Sequence, residues 1–303
     1  MSEHTKLMPG DSHDDTPSSP VQEHPHEHDH AGTTHAAEDH CHEHAHASSR
    51  TGGHQHDRQR SGGTVLTVRA LAGLSGDMML GGLAALAELS QAELHALVDE
   101  LRLPALKNCL TVEERSVNHI LGVGCRIDLP HEHAHRTLAD VRRIIEGSAM
   151  PADAVELAMQ AFAVLAQAEG AVHGKQPDEV TFHEVGALDS ILDTCLVCRI
   201  FTLLRPGRFV CSPLPLADGI IRCAHGQMPS PAPAVFHMLP GVPVRSFSGQ
   251  GETVTPTALS LLKALKADFG DWPHMTVKKT VISYGGKVFV DAPNGSLWAL
   301  GEE

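Results

Sequence analysis

The chemistry-bearing residues of this chain are above all histidines at alternate positions. His131, His133 and His135 stand in the segment HEHAH, directly after an alternating apolar stretch. In an extended backbone all three face one side, about 7 Å from one to the next. If the segment curls, two or three imidazoles can share one divalent cation, and imidazole suits nickel, copper and zinc. Glu132 adds an oxygen donor beside them. A second node is TFHEVGALDSILD, where His183 and Glu184 precede Asp189 and Asp193. The two aspartates are four apart, so on a helix they share a face near its start. The helix dipole favours a carboxylate there, and capping alone accounts for Asp189. Asp193 lies deeper, between apolar neighbours, and needs a partner. This cluster reads equally as structure or as a metal or acid–base site.

Two other segments offer helix N-termini. Ser75 or Asp77 in GLSGDM can cap the helix that follows. Thr255-Pro256-Thr257 places Thr at an N-cap and Pro at the first helical position. Free N–H groups at such ends are natural phosphate sites. Glu252 lies one short loop before the Thr255 cap, and His225 precedes a Pro-rich turn with a helix beginning near Pro233. No GxxxxGKS/T and no GxGxxG occurs, so neither segment is a nucleotide fingerprint. Ser75 in G-L-S-G-D lacks the glycine spacing of a nucleophile elbow, which argues against a serine hydrolase.

The remaining histidines set the organisation of the chain. It has 303 residues and 23 histidines, and 13 of those fall within the first 56 residues. Residues 1–63 carry 11 acids against 4 Lys/Arg and no aromatic, so half of the net charge of −14 sits there. Such a segment cannot bury enough apolar surface to offset its chain entropy. It is expected to be a disordered His-rich tail that collects metal, with irregular spacing unlike a purification tag. The folding unit is expected to run over 64–303.

The other exclusions are brief. No run of 18 apolar residues exists, so no membrane span is expected. The N-terminus lacks the charge and apolar pattern of a secretory signal. An acidic balance without a basic stripe argues against nucleic acid. Seven scattered cysteines read as reduced thiols of a cytoplasmic protein, and the CxxC pair Cys195 and Cys198 reads as buried core.

Periodicity supplies the elements that must position these residues. VLTVRALAGL begins as a strand and turns at Gly73 into the helix MMLGGLAALAELS. QAELHALVDELRL is an amphipathic helix with Leu94, Leu97, Val98 and Leu101 at helical spacing. CLTVEERSVNHILGVGCRIDLP alternates around a polar centre and predicts a β-hairpin. A short helix capped by Thr137 follows the HEHAH loop, then a long Ala-rich helix from Pro151 to His173. A turn at FHEVG feeds another helix, RFVC is a strand, and the TPT helix precedes two final strands, TVKKTVISYGG and GSLWAL. The fold class is therefore α/β or α+β, a mixed sheet with packed helices.

Five segments occur in an order that resembles the LarC-type nickel-insertion proteins. They are GLSGDMML (73–80), HEHAHRTLADVRRII (131–145), FHEVGALDSILD (182–193), HGQMPSPAPA (225–234) and GETVTPTA (251–258). The resemblance runs from about Val65 to the chain end. It implies nickel(II) insertion into pyridinium-3,5-bisthiocarboxylic acid mononucleotide, completing the nickel-pincer cofactor of lactate racemase and its relatives. It also implies use of CTP, with a divalent metal, through a C-terminal domain that this chain lacks and that a separately encoded chain could supply. By resemblance and residue chemistry together, His131, His133, His135 and His183 are expected as nickel ligands. Glu184, Asp189 and Asp193 are expected in catalysis, Glu184 as ligand or base. Ser75, Asp77, His225, Glu252, Thr255 and Thr257 are expected to bind the nucleotide substrate. The chain departs from the family at Arg69, where an acidic residue is usual, and at Ala258, where TPT is normally followed by Gly. The alternative is a non-catalytic nickel-binding, storage or metallochaperone protein.

Overall fold

A computed structural model describes residues 63–130, 135–183, 185–223, 226–290, 292 and 294–303. In chain order the first elements are β1 (Thr64–Ala70), α1 (Gly76–Leu86), α2 (Gln91–Asp99), β2 (Leu110–Val117) and β3 (Ile120–Ile127). Next come β4 (Arg136–Thr137), α3 (Leu138–Glu146), α4 (Ala152–His173), β5 (Thr181–Phe182) and α5 (Leu188–Leu204). The strands β6 (Arg208–Cys211), β7 (Leu214–Leu216), β8 (Ile220–Cys223) and β9 (Gly226–Pro229) lead to α6 (Pro233–Met238). The last elements are β10 (Val244–Ser246), α7 (Pro256–Ala264), β11 (Asp268–Phe269), β12 (Thr276–Tyr284) and β13 (Ser296–Glu302).

Seven strands form the main sheet in the order β11-β6-β1-β13-β12-β3-β2. It is mixed: β1 runs parallel to β6 and antiparallel to β13, and β12 runs antiparallel to β13 and parallel to β3. The expected hairpin is β2–β3. Its two central residues, Asn118 and His119, both take left-handed backbone (φ 51° and 64°), the twist that matches flanking strands.

Helix α1 is apolar nearly all round, as a helix packed on several sides must be. It contacts β3, β12 and β13 as well as α5 and α7. Its Gly82 lies against the indole of Trp298, where a Cβ would come within 2.6 Å of Nε1, and Trp298 is 1 % exposed. The helix can therefore sit closer to β13 than a side chain would allow. Ser283 on β12 donates to the Met78 carbonyl at 2.8 Å, fixing α1 along the sheet. Helix α4 packs on α5, α6 and α7, with Phe162 against Phe182 of β5 (ring centroids 6.0 Å apart). Cys195 and Cys198 are fully buried free thiols of α5, and burial pushes the Cys195 thiol up to about 12.

Candidate functional site

The described site residues gather at two places, each built by backbone pairing between distant segments. The first is an imidazole node. Strand β4 pairs antiparallel with β5, with Arg136 opposite Phe182 and Thr137 opposite Thr181. One step along that register, His135 stands across from His183, and their Nδ1 atoms are 3.1 Å apart. The rings are nearly perpendicular, at 79° with centroids 4.9 Å apart. Three contacts hold the ladder: buried Phe182, the Arg136 guanidinium donating to the Gly186 carbonyl at 2.8 Å, and the Thr137–Asp140 capping box that starts α3.

His173 was not picked out from the sequence, yet it belongs to this node: its ring centroid is 5.8 Å from that of His183. It ends α4, and Gly174 in left-handed conformation (φ 64°) turns the chain back toward β5. Its Nε2 lies 3.5 Å from Glu169 Oε2, one helical turn earlier. The available signal was this i,i+4 Glu–His pair at a helix end just ahead of a second histidine motif. His131, His133 and Glu184 lie outside the described residues, as does His225. Among the described residues, no three His, Cys, Asp or Glu side chains converge with the spacing needed to hold an ion.

The second place is a cleft of about 230 Å³ at the N-terminal ends of α1 and α7. The GLSGDM and GETVTPT segments are zipped together. Leu74 N–H donates to the Thr253 carbonyl at 2.8 Å, and Thr255 N–H donates to the Leu74 carbonyl at 3.1 Å. Gly73 (φ 151°) is required, because a Cβ there would overlap the Thr253 carbonyl. The pairing brings Ser75, Asp77, Glu252 and Thr255 together as lining of the cleft. Gly285, Gly286 and Lys287, from the turn after β12, line the cleft beside them. Lys287 was also missed; the GGK run at a strand end was its signal. Its Nζ donates to the carbonyls of Gln250 and Glu252 and sits 4.4 Å over the Phe289 ring, and burial lowers its pKa.

The two helix starts differ. Thr255 caps α7 as expected, its Oγ1 accepting from Ala258 N–H at 3.2 Å. Ser75 occupies the N-cap position of α1 but its side chain does not cap; the hydroxyl donates instead to the Asp77 carboxylate. That correction has a local cause: Asp77 is two residues on and within reach of the hydroxyl, which turns to a charged acceptor.

Behind the cleft wall, Gly76 lies against Asp193 and Thr257. A Cβ at Gly76 would come within 2.7 Å of Asp193 Oδ2 and 3.2 Å of the Thr257 methyl. Three of the five motifs therefore meet at one glycine. Asp193 keeps a little surface, but its Oδ1 is sealed from solvent and has no hydrogen-bond partner among the described residues. Burial raises its pKa well above the carboxylate range, and the negative charges of Asp77 and Asp189 push the same way. Cys125 is raised too, by burial first and then by Asp193 and Asp77. Asp189 is exposed on the first turn of α5, and its Oδ1 accepts from Ser190 N–H rather than capping the helix. Arg69 does not line the cleft: its guanidinium donates to the Gly270 carbonyl at 2.9 Å and lies 5.5 Å over the Trp272 ring.

The fold and these two clusters define a mixed α/β protein that presents an imidazole node and a carboxylate-lined cleft. The chain belongs to the nickel insertion protein family, which matches it over residues 66–299. It is 39 % identical over 241 residues to a protein of Myxococcus xanthus named for nickel insertion, covering 78 % of this chain and 60 % of that one. It is 37 % identical over 231 residues to the pyridinium-3,5-bisthiocarboxylic acid mononucleotide nickel insertion protein of a Nocardioides strain, covering 76 % and 58 %. The protein of the same name from Staphylococcus saprophyticus is 36 % identical over 215 residues, covering 71 % and 54 %. The chain thus spans somewhat under two thirds of the length of the curated relatives it matches. No solved structure matches it. Among the described residues, no helix is long and apolar enough to cross a membrane.

Proposed function

We propose that this chain is the nickel-handling part of a chelatase that inserts Ni²⁺ into pyridinium-3,5-bisthiocarboxylic acid mononucleotide. The observation that carries the reading is the His135–His183 pair, two imidazole nitrogens 3.1 Å apart in a chain of the nickel insertion family. Imidazoles hold Ni²⁺ and give it up to stronger sulfur and carbon donors, which is what transfer to two thiocarboxylates and a ring carbon requires. His131 and His133 are assigned to the same ligand set, with Glu184 as ligand or base. Forming the nickel–carbon bond releases a ring proton, which a carboxylate must accept. Glu184 is assigned that role; Asp193, whose proton burial holds in place, and Asp189 are assigned to support the reacting groups from behind the cleft. The substrate nucleotide is assigned to the cleft bounded by Ser75, Asp77, Glu252 and Thr255, with Thr257 buried behind it and His225 a further contact. CTP, bound with a divalent metal, is assigned to a further domain or chain. Residues 1–63 are assigned to nickel collection and 64–303 to insertion. The reaction is placed in the cytoplasm, where CTP is made and thiols such as Cys195 stay reduced.

The test combines purified chain, Ni²⁺, CTP and the bisthiocarboxylate nucleotide, with and without the C-terminal domain of a relative. The nickel-containing nucleotide is read by mass spectrometry. Product that needs the added domain, or that forms without it, supports insertion. No product under either condition, with nickel still bound, leaves a storage or metallochaperone protein.

A further inference from the structure

The loop after β12 brings a cation and an aromatic ring, Lys287 and Phe289, to the cleft. Lys287 is the one Lys or Arg among the described residues that line it, in company with the acids Asp77 and Glu252. Its ammonium is spent on neutral groups: the Gln250 carbonyl at 2.7 Å, the Glu252 carbonyl at 3.2 Å and the Phe289 ring. We propose that this pair recognises a flat organic cation: the substrate's pyridinium ring takes the face of Phe289 that Lys287 covers in the free chain, and Lys287 turns to an acidic group of the same ligand. This rests on the reading of the cleft as the nucleotide site.

The ring is held in place from several sides. Asn294, another lining residue, clamps the Phe289 backbone: Phe289 N–H donates to Oδ1 at 2.8 Å, and Nδ2 donates to the Phe289 carbonyl at 2.7 Å. Phe247 braces the ring in an edge contact, at 78° with centroids 5.0 Å apart. Gly285 seats the start of the loop on α1, where a Cβ would come within 3.1 Å of Met78 and 3.2 Å of the Ser75 hydroxyl. An aromatic face attracts cations through its quadrupole. The ammonium 4.4 Å from the ring centre shows that a cation fits there. An N-alkylpyridinium keeps its charge at every pH, and its flat surface stacks on the ring as an ammonium cannot. Lys287 is exposed, on a flexible four-carbon stem, so it moves at small cost. A phosphate or thiocarboxylate gives it charge-assisted bonds in place of those to neutral carbonyls. Glu252 already acts electrostatically on the Lys287 ammonium, and it acts with the same sign on a pyridinium in its place.

The test uses the full chain in chelator, so that metal plays no part, and reads binding by calorimetric titration. The probes are the bisthiocarboxylate nucleotide, nicotinamide mononucleotide, its reduced form with an uncharged ring, and nicotinamide riboside, a pyridinium without an acidic group. The unmodified chain should bind the oxidised mononucleotide roughly fivefold or more tighter than the reduced one. Phe289→Leu should weaken binding of the bisthiocarboxylate nucleotide by roughly five- to thirtyfold and remove that preference, and Phe289→Tyr should keep both. Lys287→Met should split the probes. It should bind the bisthiocarboxylate nucleotide about tenfold more weakly and the riboside as well as before or better, a division that loss of loop structure would not give. Should Phe289→Leu lower the melting temperature, the oxidised-against-reduced preference of the unmodified chain decides. Equal binding of those two forms, or an unchanged affinity in Phe289→Leu, overturns the ring platform and leaves the cleft as the nucleotide site. A Lys287→Met loss shared equally by the riboside overturns the turn of Lys287 to an acid. No binding of the bisthiocarboxylate nucleotide to the unmodified chain overturns the nucleotide cleft itself.

Discussion

The imidazole node and the carboxylate cleft solve opposite problems. His135 is exposed and His183 half-buried, joined by a two-residue ladder at the protein surface. Asp193 has one oxygen, Oδ1, sealed from solvent and the other, Oδ2, beside Gly76, in a junction of three motifs where a Cβ at that glycine would collide. A cation can reach and leave the first at little cost in structure. The second is built into the core, so its chemistry and its packing cannot be separated. Under the proposed reading the two divide the work: a site that lets go, and a site rigid enough to receive.

That contrast can be broken in four ways. The largest effect is expected from His135→Ala with His183→Ala. The tighter phase of nickel binding, read by calorimetric titration, should be lost, while urea unfolding shifts by no more than about 0.5 kcal/mol, the usual range for surface changes. A large loss of stability would show that the pair is structural. Next, Gly76→Ala should destabilise by about 1–3 kcal/mol, because overpacking displaces Asp193 and Thr257. The tighter phase of nickel binding should be unchanged; a parallel loss of stability and binding would merge the two regions into one.

The third concerns pH. Asp193 has a raised pKa in the folded state, so the native protein holds that proton more tightly than the unfolded chain does. Its stabilising contribution is present below the unfolded carboxylate pKa and declines as pH rises toward the folded value. Asp193→Asn should therefore match the original chain at about pH 4 and become relatively more stable toward neutrality. Parallel stability curves would mean the carboxyl ionises freely in the native state. The smallest expected effect is at α5: Cys195 and Cys198 should resist alkylation in the native protein, since burial suppresses both thiolates. Rapid labelling would mean that α5 opens readily, and with it the Asp193 junction.

Much of the architecture was legible from pattern. The hairpin, the Thr137 and Thr255 caps, the apolar face of α2 and the final strand pair all follow from local periodicity and capping chemistry. The site was legible only where a motif announced it. His173 and Lys287 escaped because the local signals beside them, an i,i+4 Glu–His pair and a GGK run, are common in surface helices and turns. Their neighbours arrive from about ten residues away, across the turn at Gly174, and from about 35 residues away, across the α7 region.

The sequence alone therefore determined which chemistry-bearing groups this protein carries. Five motifs in their order place the chain in the nickel insertion protein family. The tertiary structure decided which of those groups work together. Contact between side chains depends on register and packing, not on spacing along the chain. One antiparallel step set His135 against His183, and one glycine let Asp193 and Thr257 meet the start of α1.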